Sequence, residues 1–197
     1  MIVQKTSEWH QARKFRLTAS DFAAAIGLSP YKSRQQLWRE KTGRAKPFET
    51  NEAILWGEAN ECNAVSHYEI EMGTIVRPGG FIAHPEFDWL GASPDGVVPP
   101  SGFVECKCPY TQPHEDVPIH YRPQVVGVAA IGNGLWCDFV SWTPGETRVW
   151  RVKDISEYWA WMVPLLKDFW KCVTEDTEPK RQRKPVYEGP LTITRIK

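Results

Sequence analysis

Ser93-Pro94-Asp95-Gly96, followed a few residues later by Val104-Glu105-Cys106-Lys107-Cys108, decides the reading of this chain. Glu105 and Lys107 stand two residues apart, so on a β-strand both side chains project from one face and Val104, Cys106 and Cys108 from the other. A charged pair backed by small apolar groups marks a site at the rim of a core. Asp and Glu are hard oxygen donors, suited to Mg²⁺, with Mn²⁺ able to substitute, rather than to a softer metal. Asp95, Glu105 and the backbone carbonyl of Cys106 can form one side of an octahedron, with water and a phosphate oxygen opposite. Lys107 supplies a point charge that orients or deprotonates a water, and which of the two stays open. These are the parts of a metal-dependent phosphodiesterase.

One geometric condition governs that reading. Pro99-Pro100-Ser101-Gly102 is a turn between the two acidic residues. A four-residue turn would pair Val98 with Phe103 and Asp95 with Cys106, which puts Asp95 on the wrong face. An odd-numbered loop, or an irregular step at Pro94, brings Asp95 opposite Glu105. The second arrangement is expected, because one ion needs both carboxylates.

The 197 residues suit one domain with a real core. Apolar content is 42%, no apolar run reaches the ~18 residues of a membrane span, and the start Met1-Ile2-Val3-Gln4-Lys5 quickly turns polar. A soluble protein acting in the cytoplasm is expected, without membrane attachment. Lys plus Arg balances Asp plus Glu at 24 each, which disfavours a chain basic all over but not one with a basic groove offset by an acidic site. Five cysteines without paired spacing argue against a disulfide framework and against zinc. Cys106 and Cys108 read as small buried hydrophobes on the strand's inner face.

Helical patterns cover 7–27, with Ser7 and Thr18–Asp21 as candidate caps, and 33–42, started by Ser33. Residues 43–50 read as a loop. Glu52–Met72 is the clearest helix, with Leu55, Cys62, Val65, Tyr68 and Met72 at three- and four-residue steps and Gly73 as its stop. Strands are expected at 74–77, 80–83, 90–92 and 102–107, a helix at 118–131, a hairpin of 135–142 with 147–152 around Pro144-Gly145, and an aromatic helix at 154–173. Trp159 and Trp161 cannot share one face of that last helix. The domain is drawn over 1–174. The remainder, with Lys180-Arg-Gln-Arg-Lys184, reads as a mobile basic tail whose only other role is nonspecific attraction to phosphate.

Asp95 with Glu105-Cys106-Lys107 resembles the PD-(D/E)XK nuclease motif. Trp9-His10, Arg13, Leu17-Thr-Ala-Ser20, Trp56-Gly57 with Glu61, Ser93-Pro-Asp-Gly96, Glu105-Cys-Lys-Cys-Pro109 and Tyr121 with Gln124-Val125 follow in the order of the phage lambda-type alkaline exonucleases. The resemblance runs from about residue 8 to the final helix. It implies an α/β restriction-endonuclease-like core, a mixed central sheet flanked by helices. It also implies a Mg²⁺-dependent 5′→3′ exonuclease on double-stranded DNA, preferring 5′-phosphorylated ends, releasing mononucleotides and leaving a 3′ overhang. Relatives form a homotrimer ring around DNA and work with a single-strand annealing protein in phage or prophage recombination inside a bacterial host.

Carried over by position, Glu61 is a further acidic residue near a second metal or the water, with Glu58 as the fallback. Gln124 helps hold the nucleophile or a metal-bound water. Arg13, Ser20 and Ser93 form a pocket for the 5′-phosphate, which suits a forked cation flanked by hydroxyls. Ser20 also fits a helix cap, and Ile54 is a wedge at the terminal base pair or else a core residue. Many relatives have Gln-Val-Gln where this chain has Gln124-Val125-Val126. Two rival readings are another nuclease of the superfamily, cutting internally, and a DNA-binding protein with a dead site. An iron–sulfur nuclease needs four dispersed ligand cysteines, and two of the five here lie on the back face of one strand.

Overall fold

Two sheets divide the strands, and Ser93-Pro94-Asp95 is the step from one to the other. The computed structural model describes residues 2–45 and 50–197, so the loop expected over 43–50 falls partly outside the described residues. The smaller sheet has four strands in the order β1 (Ile2–Val3), β4 (Gly80–Ala83), β5 (Leu90–Ala92), β2 (Leu17–Thr18). The larger has six, in the order β10 (Thr192–Arg195), β9 (Glu146–Lys153), β8 (Trp136–Thr143), β7 (Gly102–Lys107), β6 (Gly96–Val98), β3 (Arg77–Pro78). Its β7 and β8 are parallel and its other pairs antiparallel. That sheet is the mixed sheet the sequence leads one to expect; the second sheet is not. Pro94 has no N–H to give to a ladder, so β5 cannot run on into β6, and the chain changes sheets there.

The helices are α1 (Ser7–Lys14), α2 (Phe22–Ala25), α3 (Arg34–Lys41), α4 (Glu52–Met72), α5 (Arg122–Ile131) and α6 (Ser156–Thr174). Thr6, rather than Ser7, caps α1, accepting from the amide of Trp9. Ser20 lies within a 3-10 turn over Ala19–Asp21 and caps no helix. Ser33 and Gln36 form a reciprocal capping box on α3. Pro118 opens a turn, not a helix: Tyr121 N–H donates to its carbonyl, and α5 starts at Arg122 with Pro123 in the first turn, where no N–H is needed.

One core packs α2, α3, α5 and α6 against the face of the large sheet carrying Phe103, Phe139 and Trp150. The other packs α4 against Val104, Cys106, Val140, Trp142 and Val149. The buried stripe of α4 is Asn60, Ala64 and Tyr68, while Leu55 and Cys62, expected inside, are exposed. Small Ala64 brings the helix close to the sheet, and the stripe settles one residue round from the most apolar positions. Trp159 and Trp161 are both partly buried, on opposite sides of α6: Trp159 stacks on His84 and Trp161 meets Tyr158 and Tyr187.

The segment after residue 174 is not a free tail. Its Thr192–Arg195 pairs with β9 as an edge strand, and Pro179 is buried. Short edge strands carry too little periodicity to be seen in sequence.

Asp138 joins the α4 core to the sheet. Its carboxylate, wholly buried, accepts from Arg151 Nε (2.9 Å) and Nη2 (2.8 Å) and from Tyr68 Oη (2.8 Å). Asp138→Ala leaves the buried Tyr68 hydroxyl without its acceptor, while Arg151, one-third exposed, can turn to water, so a loss of about 1–3 kcal/mol is expected in denaturant unfolding. A loss under about 1 kcal/mol would show the triad to be incidental.

Candidate active site

The loop between β6 and β7 has three residues, Pro99 to Ser101, because Val98 pairs with Gly102. Gly96 pairs with Val104, so one further step sets Asp95 across from Glu105. The amide of Asp95 donates to the carbonyl of Val104 (3.1 Å), and Asp95 Oδ2 accepts from the amide of Cys106 (2.7 Å). The odd-numbered loop therefore meets the condition the sequence set.

The crossing is held from both sides. Gln4 Nε2 donates to the carbonyl of Pro94 (2.7 Å), and a Cβ at Gly79 would lie 1.8 Å from the same oxygen. Gly79→Ala must push that backbone aside. We expect a stability loss of about 1–3 kcal/mol, seen as a lower thermal midpoint. An unchanged midpoint would mean that the crossing is free to shift.

Glu105, 2% exposed, is the centre of the cluster. Its Oε1 accepts from Lys107 Nζ (2.7 Å) and from the Gln124 side-chain amide on α5. Its Oε2 is buried with no hydrogen-bond partner among the described residues. Burial and then repulsion by Glu105 hold Asp95 well above the usual carboxylate range, and burial raises Glu105 despite Lys107. Burial alone would lower Lys107, but Glu105 and Asp95 outweigh it and keep the ammonium charged. Two buried carboxylates that both resist ionising, one with an orphaned oxygen, fit a hard divalent cation. Behind them Cys106 and Cys108 are buried thiols, Cys108 pushed up by burial to about 12. Both belong to the core beneath α4, on the strand face opposite Glu105 and Lys107.

Glu61 on α4 and Asp95 line one cavity of about 400 Å³. Glu61 is engaged there by Lys5 Nζ (3.2 Å), and Glu58 is exposed on the same helix. Among the described residues no three His, Cys, Asp or Glu side chains stand together as a ready metal cage. Ile54 sits partly exposed on the first turn of α4 and belongs to neither core.

A second constellation lies on the other side of the crossing. Arg13 on α1 donates from Nη1 to Ser93 Oγ (3.2 Å) and from Nη2 to Ser20 Oγ (3.1 Å). The three residues, 80 positions apart at the extremes of the Arg13–Ser93 pair, thus meet at one guanidinium. Trp9, one turn before Arg13, donates Nε1 to Ser93 Oγ (2.9 Å) and lies under the guanidinium at 4.3 Å. Burial lowers Arg13, while Asp21 and Glu105 act to raise it. Asp21 is itself held by Lys41 Nζ (2.8 Å) and accepts from Thr18 Oγ1 (3.3 Å), whose oxygen also meets Ser20 Oγ (3.2 Å).

Sequence reasoning left Trp9 without a role, although its helical spacing to Arg13 was a usable signal. Gln4, Lys5, Gly79 and Asp21 gave none, since each acts through a contact distant in the chain.

Residues 8–133, which hold every candidate site residue from Arg13 to Gln124, match the YqaJ-like viral recombinase domain. The chain belongs to that family. A relative is the uncharacterized protein YqaJ of Bacillus subtilis (strain 168), 31% identical over 103 residues, which are 51% of this chain and 32% of the relative. The chain thus spans about a third of that relative's length. Among solved structures, the alkaline exonuclease LHK-Exo of Laribacter hongkongensis superposes with a TM-score of 0.72 at 28% identity, over 87% of this chain and 94% of that one. The same enzyme is known in complex with dAMP. A phage-related exonuclease of Haemophilus somnus 129PT, at 12% identity and TM-score 0.59 over 82% of this chain and 96% of that one, shares the fold. The YqaJ-like chain has the restriction-endonuclease-like α/β fold of lambda-type exonucleases in the PD-(D/E)XK superfamily. No helix among its described residues is long and apolar enough to cross a membrane.

Proposed function

We propose that the chain is a Mg²⁺-dependent exonuclease that degrades linear double-stranded DNA from 5′ ends, releasing mononucleotides and leaving a 3′ single-stranded overhang. One observation carries this reading: Ser93 and Asp95, two residues apart, serve an anion-binding constellation on one side and a carboxylate pair on the other. The two are close enough that Arg13 and Glu105 each shift the other's ionisation. Likeness to an alkaline exonuclease and to a viral recombinase domain supports the same chemistry.

In this reading Arg13, Ser20 and Ser93 hold the terminal 5′-phosphate, with the guanidinium already directed between the hydroxyls. Asp95, Glu105 and the Cys106 carbonyl would hold Mg²⁺, or Mn²⁺ in its place, and Glu61 would serve a second ion or the water. The ion, when bound, supplies charge opposite the reacting phosphate and lowers the pKa of water. Gln124 and Lys107 fix Glu105 through one oxygen and leave the other free. Glu105 and Asp95 hold Lys107 as an ammonium that can donate to the nucleophile; a cation bound by the same carboxylates would weaken that hold, so Lys107 serves in this reading as orienter or as base. The reading extends to 5′-phosphorylated duplex ends as the preferred substrate, a homotrimer ring, a single-strand annealing partner and action in the cytoplasm of a bacterial host.

The test uses linear and closed circular duplex DNA with Mg²⁺ or EDTA. Mononucleotides from linear DNA only, and only with Mg²⁺, are the expected result. Cleavage of closed circles would make the chain an endonuclease instead, and binding without cleavage would make it a DNA-binding protein with a dead site.

A further inference from the structure

The run Lys180-Arg181-Gln182-Arg183-Lys184 is fixed in place by its polar neighbours. Gln35 Nε2 donates to the carbonyl of buried Pro179 (2.9 Å), and Gln182 Nε2 donates to the carbonyl of Ile26 (3.2 Å). Beyond the run, Tyr187 packs on Tyr158 at 4.6 Å and Trp161 at 5.2 Å. The strap is thus tied at its start, its middle and its far side.

Its charges are the exception on this face. Arg34, Arg39 and Arg44 on and just after α3 are each matched, by Asp168, Glu178 and Asp176. Lys180, Arg181, Arg183 and Lys184 are exposed, and among the described residues none has a carboxylate within 4.0 Å. Four unmatched cations in five residues, in a chain of net charge zero, form a concentrated positive strip held in one shape.

The strip connects to the candidate active site. Gln182 lies beside Gly27, and the following Pro185–Tyr187 segment shares a cavity with Leu28 and Ile119. Next along both segments are Tyr31 and His120, whose rings meet at 5.4 Å. His120 packs on Tyr121 at 4.2 Å, and Lys107 Nζ lies 5.3 Å from the Tyr121 ring. Tyr31 is 75% exposed, an aromatic face linked to Lys107 through the His120 and Tyr121 rings.

We infer that Lys180–Lys184 is a rail for the phosphodiester backbone of the DNA being degraded, with Tyr31 as the step between rail and cutting site. Cations carried on an anchored backbone meet phosphates without the strap first being ordered, and an exposed tyrosine offers a stacking surface to an unpaired base. The inference rests on the nuclease reading only in taking DNA as the ligand.

The experiment measures binding in EDTA, where no cutting occurs, for the full chain and for a variant carrying Lys180→Gln, Arg181→Gln, Arg183→Gln and Lys184→Gln. The probes are a 5′-phosphorylated blunt duplex and a single strand of the same sequence, across a salt series. A loss of about tenfold or more in affinity near 0.1 M salt, with the salt slope flattened by about 2–3, is expected. The larger loss on the single strand would assign the rail to the 3′ overhang, and on the duplex to the DNA still to be cut. Unchanged affinity and slope on both probes would overturn the inference. A second variant exchanges Lys for Arg and Arg for Lys at the four positions, keeping the charge. It must bind as the unaltered chain does, and its failure would mean that the strap matters for folding and not for phosphate. Cutting without any effect of the four substitutions sinks the rail alone, whereas a rail effect in a chain that cuts no DNA sinks the nuclease reading alone.

Discussion

Asp95→Asn is expected to abolish DNA cleavage, by about 10³-fold or more, and at the same time to raise the thermal midpoint of the cation-free protein. The two effects have one origin. Asp95 and Glu105 are buried side by side, and both are held above their ordinary range, Asp95 by burial and then by Glu105. A carboxylate whose pKa is raised on folding favours the folded state only while it is protonated. That contribution is complete below the unfolded value near 4 and is lost as pH rises through the higher folded value. Above that range the buried pair costs stability, and a neutral amide of the same shape relieves it. Mg²⁺ should raise the midpoint of the unaltered chain and leave the variant unmoved. A variant that keeps cleaving, or that melts lower in EDTA, would show that Asp95 has another task.

Arg13→Gln carries the second large effect. Two charge-assisted hydrogen bonds to a terminal phosphate, each worth about 1.5–3 kcal/mol, correspond to a loss of about 10²-fold or more on 5′-phosphorylated ends. Ends bearing a 5′-hydroxyl should lose far less, so the preference between the two substrates collapses. Arg13→Lys should not restore it, because a single ammonium cannot span Ser20 and Ser93 while lying on the Trp9 ring. Initial rates on the paired substrates measure this. A preference that survives Arg13→Gln would place phosphate recognition elsewhere.

Much of this arrangement can be read before any coordinates exist, and the parts that cannot share a physical cause. Glu105 and Lys107 announce a common face by their spacing, and β7 carries them as that spacing requires. Asp95 is harder: four residues of turn chemistry allow two registers, and only the demand of one ion for two carboxylates chooses between them. The choice depends on a loop one residue shorter than the Pro-Pro-Ser-Gly run suggests. Arg13, Ser20 and Ser93 become a pocket only because a parallel pairing of Leu17–Thr18 with Leu90–Gly91 brings distant segments together. Two-residue strands of that kind have no periodicity to detect. The same holds for β10, which the basic composition around it disguises as a tail. The engagement of Glu61 by Lys5 is a pairing across 56 residues, and no local pattern signals it.

The most direct test of the central claim labels the two strands of a linear duplex separately, one at its 5′-phosphate and one at its 3′ end, and follows both with Mg²⁺ present. Label from the 5′ end should appear at once as a mononucleotide, while the 3′ label stays on a long strand until late in the reaction. Early release of the 3′ label as a mononucleotide would contradict a site in which Ser93 secures the 5′-phosphate beside the carboxylates of Asp95 and Glu105.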